Sequence, residues 1–370
     1  MKPYQLALPG PTEYDPRVLK ELSRPMLPHY GEEWLEIYNK IISRLQQVYQ
    51  TSNRVFVIPS SGSGAIDAVF TSLGAKKGLI LSNGTFGRRM LSISSRNLCE
   101  ATVIEVEPGR PFDMDCVEKA LRQADFDLLA VVHGETSTGM LNELDPLSDL
   151  CRKYGLLFIV DAVSTLGGVP LNVDGQIIDF CISASQKALG APPGLATVSI
   201  SERGWQAMPA EQSIKSWYLN LKTWLYYCED WADWHPYPVT LPVQLMFALG
   251  KALELIVEDG LPARWKLHQS SAEYVQAEFE RMGISSLVAD PCRRLPTVTA
   301  ATLPEGLCSR ELQGYLREKH RILVAGGVGQ LQDKIFRIGQ MGYSARPQLV
   351  GRVVSAVKEF LSIRLPSRVG

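Results

Sequence analysis

The sequence predicts an α/β protein, in which a large domain with a mostly parallel sheet is followed by a small C-terminal α+β domain. Short, unbroken apolar runs rich in β-branched residues alternate with helical patterns along much of the chain. Such runs are typical of strands that are covered on both faces, and their alternation with helices favours parallel pairing. A length of 370 residues suggests two domains or one large domain with a smaller one.

The first elements in chain order are an arm, a helix and a series of strands. Residues 1–18 are rich in proline and glycine and predict an extended segment. Residues 32–50 show the apolar spacing of a helix. The strands predicted after this helix are Val55–Ile58, Leu79–Leu81, Thr102–Val106, Leu128–Val132, Leu156–Val160, Phe180–Ile182 and Ala196–Ile200.

The helical pattern is interrupted at Gly260-Leu261-Pro262, and we place the domain change near this point. The tail beyond it combines short apolar strands with helices, which is typical of a smaller α+β domain. The predicted units are an arm at 1–18, a large domain at 19–258 and a small domain at 259–370.

Composition and charge exclude several classes of function. The formal net charge of −1 gives no electrostatic case for a nucleic acid or an anionic membrane as a partner. The arginine pairs at 88–89 and 293–294 are too short for a basic tract, and we interpret them as solvated or locally paired. No apolar run reaches the roughly 18 residues that span a bilayer.

Cysteine usage predicts neither a metal site nor a disulfide framework. The seven cysteines are widely spread and contain no C-x-x-C pair. The start of the chain lacks the apolar core of a signal peptide. Both observations favour a reducing, cytoplasmic location.

One lysine lies just past an apolar strand, in Ser185-Gln186-Lys187-Ala188, before a stiff Pro-Pro-Gly turn. Burial there would remove solvation from the ammonium group and lower its pKa, which makes the amine a better nucleophile. Carbonyl cofactors such as pyridoxal phosphate (PLP) need such an amine to form a Schiff base. The alternative is a surface lysine at a strand end, and this segment alone favours neither.

Two other strand ends carry groups that suit the same cofactor. Ser60–Ala65 lies between a strand and a helix, where backbone N–H groups and serines can cradle a phosphate, or where the segment simply caps the helix. Asp161 ends the strand Leu156–Val160. A buried carboxylate there needs a cationic partner such as a pyridinium N–H, unless it caps a following turn.

Three further segments each allow two interpretations. The hydroxyl-rich stretch His133–Gly139 can bond a phenolic oxygen or form a plain turn. Phe86 can stack on an aromatic cofactor or pack in the core. Arg337, within an apolar late strand, either pairs with a carboxylate of the protein or binds the carboxylate of a substrate.

Taken together, these segments resemble the class V aminotransferases of the type I PLP fold, with most likeness to the alanine–glyoxylate and serine–pyruvate enzymes. The resemblance extends over nearly the whole chain, from Pro9-Gly10-Pro11 to Arg337, and is most specific in His133–Gly139, Val160–Gly168 and Ser185–Gly194. It implies a PLP-dependent transaminase that acts on a small 2-amino acid, of alanine or serine type, and on a 2-oxo acid such as glyoxylate or pyruvate.

The resemblance also implies roles for single residues. Lys187 would form the Schiff base with PLP, and Asp161 would pair with the pyridine nitrogen. The other cofactor contacts would come from Ser63, Gly64, Ala65 through its amide, Gln186, Phe86 and Thr136.

A second group of implied contacts concerns the substrate and a partner subunit. Gly10 and Arg337 would contact the substrate, the arginine through the substrate carboxylate. Tyr237 and Thr240 would reach the phosphate in the neighbouring subunit. The implied assembly is a homodimer with shared active sites.

Departures from the family pattern leave the substrate open. Ala65 stands where relatives often carry histidine. The stretches Ala191–Leu195 and Arg337–Gly342 also resemble pyridoxamine–pyruvate aminotransferase, which takes an unphosphorylated vitamin. The intact Ser61–Gly64 favours bound PLP instead.

Two remaining features have competing interpretations. A PLP-dependent lyase or desulfurase of the same fold would need a mobile cysteine, and neither Cys292 nor Cys308 lies in an obvious loop of that kind.

Trp217, Trp224 and Trp231 recur every seven residues. This spacing predicts one helix face packed on the core or on a partner, rather than an aromatic substrate box.

Overall fold

The computed structural model describes residues 3–365, so the first two residues of the predicted arm and the last five of the predicted small domain lie outside it. Its largest sheet has seven strands, and each of the seven predicted apolar runs overlaps one of them. The strands of the chain are β1 (Gln5–Leu6), β2 (Arg54–Pro59), β3 (Lys77–Ser82), β4 (Glu100–Glu105), β5 (Leu128–Val132), β6 (Gly134–Glu135), β7 (Met140–Leu141), β8 (Leu157–Asp161), β9 (Phe180–Ala184), β10 (Leu195–Ile200), β11 (Ser285–Ser286), β12 (Val298–Thr302), β13 (Ile322–Leu323), β14 (Ala325–Gly326) and β15 (Phe336–Gly339).

Helices and loops cover both faces of this sheet, because every residue of β5, β8, β9 and β10 is buried. Within residues 3–365, no helix is both long enough and apolar enough to cross a bilayer. The α-helices are α1 (Pro16–Glu21), α2 (Glu32–Tyr49), α3 (Gly62–Ser72), α4 (Thr85–Asn97), α5 (Met114–Gln123), α6 (Asp145–Tyr154), α7 (Glu202–Ala207), α8 (Leu221–Asp230), α9 (Val243–Asp259), α10 (Leu261–Arg281), α11 (Ser309–Tyr315) and α12 (Pro347–Arg364). Shorter helical turns are Glu211–Ser213, Pro291–Arg293, Leu316–His320, Gly329–Leu331 and Gly342–Ala345.

The large sheet has the order β2-β10-β9-β8-β5-β3-β4, and the prediction of a mostly parallel sheet is confirmed. The exception is β10, which runs antiparallel to both β2 and β9. A parallel neighbour would need a long crossover, whereas β10 follows β9 after only the short loop that carries Lys187. Apolar runs of both kinds look alike, so the sequence did not reveal this reversal.

The C-terminal part of the chain has a sheet and a core of its own. The strands are ordered β11-β12-β15-β14 and pair antiparallel. Helices α10 and α12 supply apolar side chains to the core, among them Val275, Phe279 and Phe360. The N-terminal arm joins this part, because β1 pairs in parallel with β13 and the N–H of Gly339 donates to the carbonyl of Ala7 at 3.0 Å.

The tryptophan series does not form one helix face, so that prediction is wrong. Of these tryptophans, helix α8 contains only Trp224, whose side chain is buried in the core that surrounds the seven-stranded sheet. Trp217 precedes the helix and Trp231 caps its end, and both are exposed. A repeat of seven residues therefore spans a helix and its flanking turns here.

A buried carboxylate next to the start of β9 links this strand to β8, to the end of β10 and to α7. Asp179, just before β9, is fully buried. Its carboxylate accepts from the Phe158 N–H at 2.8 Å, from the Ser201 hydroxyl at 2.6 Å and from Arg203 Nε at 3.1 Å. The residues belong to β8, to the end of β10 and to α7. One side chain thus fixes how these elements sit together.

Replacing this side chain should destabilise the fold. In Asp179→Ala, the buried Phe158 N–H and Ser201 hydroxyl lose their acceptor, so the free energy of unfolding should fall by at least about 2 kcal/mol. Urea unfolding followed by circular dichroism measures this change. Asp149→Ala is the control, because Asp149 is exposed and pairs only with Arg152, and an equal loss in both variants would contradict the assignment.

Candidate active site

A cavity of about 360 Å³ lies at the carboxyl ends of β8 and β9. Its wall combines the N-terminal arm, the first turn of α3, helix α4 and the loop after β9. Ligands of parallel α/β sheets gather at this edge. Of the predicted site residues, the cavity brings together Gly10, Ser63, Phe86, Asp161, Gln186 and Lys187.

Lys187 is half-buried in the wall of this cavity. Burial lowers the pKa of its amine to about 8, although the nearby Asp161 carboxylate opposes the change. The ammonium group donates to the carbonyl of Pro9 in the arm. Gly10 permits this contact, because a Cβ there would lie 2.5 Å from Lys187 Cδ and the backbone φ is +100°. The interpretation as a surface lysine is therefore wrong.

Asp161 is the last residue of β8, and its side chain is buried. Burial raises the pKa of its carboxyl to about 6, against the effect of the Val163 N–H, which donates to Oδ1 at 2.9 Å. The amine of Lys187 bonds the Pro9 carbonyl and the Asp161 carboxylate bonds the Val163 N–H, and no ion pair joins the two side chains in the part of the chain that the structure describes. The acid and the amine therefore line one cavity with space between them.

The first turn of α3 faces the same space. The Ser61 hydroxyl caps the helix by accepting from the Gly64 N–H at 3.3 Å. The N–H of Ala65 donates to the carbonyl of Ser61 at 3.2 Å, so this amide is used inside the helix. A contact from the Ala65 amide to the cofactor stays a prediction. The N–H groups of Gly62 and Ser63 have no partner among residues 3–365 and stay available for a ligand.

Two glycines of this turn pack too closely for a side chain, and the Gln186 carboxamide, whose Nε2 can donate to an anion, lies in the same cavity wall. A Cβ at Gly62 would lie 2.6 Å from Val163 Cγ2, and one at Gly64 would collide with the Ser60 hydroxyl. The Gln186 Oε1 atom is buried without a hydrogen-bond partner in the described chain. Buried polar atoms without a partner are rare in proteins, and this one lies in a residue of the cavity wall.

The Phe86 ring lines the cavity, and a buried carboxylate fixes its backbone. Glu135 accepts from the N–H groups of Phe86 and Gly87 at 3.0 Å each, and from that of Ser137 at 3.1 Å. It thereby caps the N-terminus of α4. Glu135 is not among the site residues predicted from the sequence. The sequence pattern that could have indicated its role was an acid within a turn of small residues directly after a buried strand.

The two arginines at 88 and 89 differ in their contacts: Arg88 is paired, in agreement with the prediction of a solvated or locally paired arginine, whereas Arg89 lines the cavity. Arg88 pairs with Glu105 outside the cavity. Arg89 lines the cavity, its guanidinium lies 4.9 Å from the centre of the Phe86 ring, and it donates to the Ser63 hydroxyl at 3.2 Å. The i, i+3 spacing from Phe86 on a helix was the overlooked signal.

Arg337 has no carboxylate ion pair within the described chain, so the first of its two interpretations is wrong. Its Nε donates to the carbonyl of Gly326 at 2.8 Å, and one terminal nitrogen donates to the carbonyl of Thr136 at 2.9 Å. Burial lowers the pKa of the guanidinium. Thr136 is buried beside it. A bond from the Thr136 hydroxyl to a ring oxygen stays a prediction.

The two residues that are predicted to contact a partner subunit, Tyr237 and Thr240, differ in their exposure. Tyr237 is buried in its own subunit, where its hydroxyl donates to the carbonyl of His29 and accepts from the indole of Trp34. A contact from Tyr237 to the phosphate in a neighbouring subunit stays a prediction. Thr240 is exposed, and its role stays a prediction.

The arrangement fits a flat heterocycle that carries an aldehyde and a phosphate. An amine of lowered pKa faces the cavity, a buried acid lies in the same wall, an aromatic ring lines it, and the free amides of Gly62 and Ser63 can donate to an anion. Together with the fold, these features define a transferase of the type I PLP class.

The family model for aminotransferase class-V matches residues 13–337, and the chain belongs to this family of transaminases. The alanine–glyoxylate aminotransferase of Mus musculus is 34% identical over 361 residues, which cover 95% of this chain and 86% of the relative. Among solved structures, an alanine–glyoxylate aminotransferase from Nostoc sp. is 32% identical, with a TM-score of 0.93 over 98% of this chain and 96% of that one. Pyridoxamine–pyruvate aminotransferase from Mesorhizobium loti is 27% identical, with the same TM-score over 98% and 93%.

The lowered pKa of Lys187 can be measured on the chain without its cofactor. Reductive alkylation of Lys187 by a small aldehyde, followed by mass spectrometry, should accelerate with pH and level off above about 8, since only the neutral amine reacts. Asp161→Asn removes the carboxylate that raises this pKa, so the midpoint should move to lower pH. A midpoint near 10.5, or an upward shift in the variant, would sink the assignment.

Proposed function

We propose that this transaminase moves an amino group between a small 2-amino acid, of alanine or serine type, and a 2-oxo acid such as glyoxylate or pyruvate, with pyridoxal 5'-phosphate as its cofactor. One observation carries the proposal: the half-buried Lys187 amine and the buried Asp161 carboxylate line one cavity without pairing. The alanine–glyoxylate specificity of the mouse and Nostoc relatives supports the choice of substrates.

The residues of the cavity would hold the cofactor as follows. The Asp161 carboxylate would accept a hydrogen bond from the protonated ring nitrogen, and Phe86 would stack on the ring. Gln186, Ser63 and the free amides of α3 would bind the phosphate. When bound, the cofactor supplies a carbonyl carbon for the amino group and an electron sink for the substrate α-carbon.

Lys187 is the group we propose to move the proton. A pKa of about 8 lies near the working pH, where an amine can both accept and return a proton. Its bond to the carbonyl of Pro9 keeps the amine at the cavity wall. From there it would take the proton from the substrate α-carbon and deliver it to the cofactor.

Arg337 would bind the substrate carboxylate. The carbonyls of Gly326 and Thr136 hold its guanidinium in place, and no carboxylate of the described chain forms an ion pair with it. A planar guanidinium suits the two oxygens of a carboxylate. Gly10 would leave room for a substrate next to Lys187.

Two alternatives are less well supported. A pyridoxamine–pyruvate activity would not need the cradle at the start of α3, which is intact here. A desulfurase or lyase using a cysteine is disfavoured, because none of the cysteines in residues 3–365 lines the cavity.

Replacing the lysine tests the proposed function. The purified protein should be yellow with PLP, and mixing it with alanine or serine should bleach this band as the cofactor takes the amino group. Lys187→Ala should lose the band and at least about a thousandfold of the turnover. Lys40→Ala, at an exposed site of α2, is the control. Turnover of wild-type size in Lys187→Ala would eliminate the mechanism.

We also propose a homodimer with shared active sites, in a cytoplasmic setting where cysteines stay reduced. A surface of adjoining, mutually tilted aromatic rings supports the dimer. Tyr30, Trp234, Trp231 and Tyr227 follow one another with ring centres 5.3–5.5 Å apart, and Tyr30, Trp231 and Trp234 are exposed. Contiguous exposed apolar area of this kind marks interaction sites, and Thr240 lies a few residues further along the chain.

The dimer proposal predicts the result of sedimentation analysis. The wild-type protein should sediment as a dimer of 41.0 kDa chains, and the double variant Trp231→Ser/Trp234→Ser should shift toward the monomer. Tyr274→Ser removes an equally exposed aromatic ring from α10 and should leave the dimer intact. A double variant that stays fully dimeric would contradict the role of this surface.

A further inference from the structure

The proposed phosphate cradle contains few positive charges. A phosphate monoester carries about two negative charges near neutral pH, whereas Ser63, Gly64 and Gln186 are neutral. Of the described residues that line the cavity, only Lys187 and Arg89 have cationic side chains. The proposed function commits the Lys187 amine to the carbonyl carbon. Arg89 is then the one permanent cation of the cavity wall in residues 3–365.

Two contacts place the Arg89 guanidinium between the ring position and the cradle. It donates to the Ser63 hydroxyl at 3.2 Å, and its central carbon lies 4.9 Å from the centre of the Phe86 ring. Ser63 belongs to the first turn of α3, where the N–H groups of Gly62 and Ser63 are free. The guanidinium, the hydroxyl and these amides therefore border one region of the cavity.

Among residues 3–365, no anionic group pairs with the charge of Arg89. No carboxylate in the described part of the chain forms an ion pair with Arg89, whereas its neighbour Arg88 pairs with Glu105. Arg89 influences both central groups of the site, because its charge lowers the pKa of Asp161 and of Lys187. An unpaired guanidinium that borders an anion cradle is suited to bind the anion itself.

We infer that Arg89 is the cationic ligand of the cofactor phosphate and that it makes the site select phosphorylated over unphosphorylated forms of the cofactor. This inference rests on the proposed function. The partial positive charge at the start of α3 and its free amides would bind one side of the phosphate. The guanidinium would close the other side, using the N–H groups that do not bond Ser63.

Arg89 is less well placed to bind a substrate carboxylate. Arg337 holds that role in the proposed function, fixed by the carbonyls of Gly326 and Thr136. The partner of Arg89 is a hydroxyl of the cradle, not a residue near the Lys187 amine. A role confined to packing on Phe86 is the remaining alternative, and it would not depend on the phosphate.

The test compares two ligands that differ only in the phosphate. The full-length protein is first freed of cofactor by dialysis against an amine that captures the cofactor aldehyde. It is then titrated with PLP and with pyridoxal, and binding is followed by absorbance. Arg89→Gln should weaken PLP binding about ten- to a hundredfold and should change pyridoxal binding little. Arg89→Lys should recover part of the loss, because the charge stays but the fork geometry does not. Arg88→Gln is the control for charge on α4 and should bind both ligands like the wild type.

Other outcomes would overturn the inference. Equal weakening of PLP and pyridoxal would assign Arg89 to the ring through Phe86. Unchanged PLP binding with a raised KM for the amino donor would assign it to the substrate. A wild-type protein that does not bind PLP through Lys187 would refute the proposed function instead. In that case inorganic phosphate still tests Arg89, because phosphate should raise the melting temperature of the wild type and of Arg88→Gln more than that of Arg89→Gln.

Discussion

The proposed chemistry of this protein depends on one amine that is held partly out of water in the same cavity as a buried carboxylate. Burial disfavours the charged form of both groups, so it lowers the pKa of Lys187 and raises that of Asp161. Their attraction opposes both shifts, yet no ion pair closes between them in the described chain. The scaffold, rather than their attraction, therefore sets where they lie, and the space between them is available to a cofactor.

The scaffold that keeps them apart is the junction of β8, β9 and β10. Asp161 ends β8, and Lys187 lies in the tight loop between β9 and its antiparallel neighbour β10. At the opposite end of these strands, Asp179 bonds groups from β8, the end of β10 and α7. Since strands in one sheet keep a fixed register, anchoring one end positions side chains at the other.

Much of the site could be predicted because its residues occupy special places in local patterns. Lys187 and Asp161 stand at the ends of apolar runs, and Ser63 stands where a strand turns into a helix. Glu135 and Arg89 were missed for a different reason. The role of Glu135 depends on the N–H groups of α4, and that of Arg89 depends on which neighbour takes Glu105. Neither relation is encoded in sequence spacing alone.

By itself, the sequence determined the alternation of strands and helices, the mostly parallel sheet and the presence of a lysine and an acid at strand ends. These follow from periodicity and burial, which act over a few neighbouring residues. The tertiary structure alone decided the reversal of β10, the burial of Tyr237 in its own subunit and the contact of the Pro9 carbonyl with Lys187. These depend on segments far apart in the chain, and only packing brings such segments together.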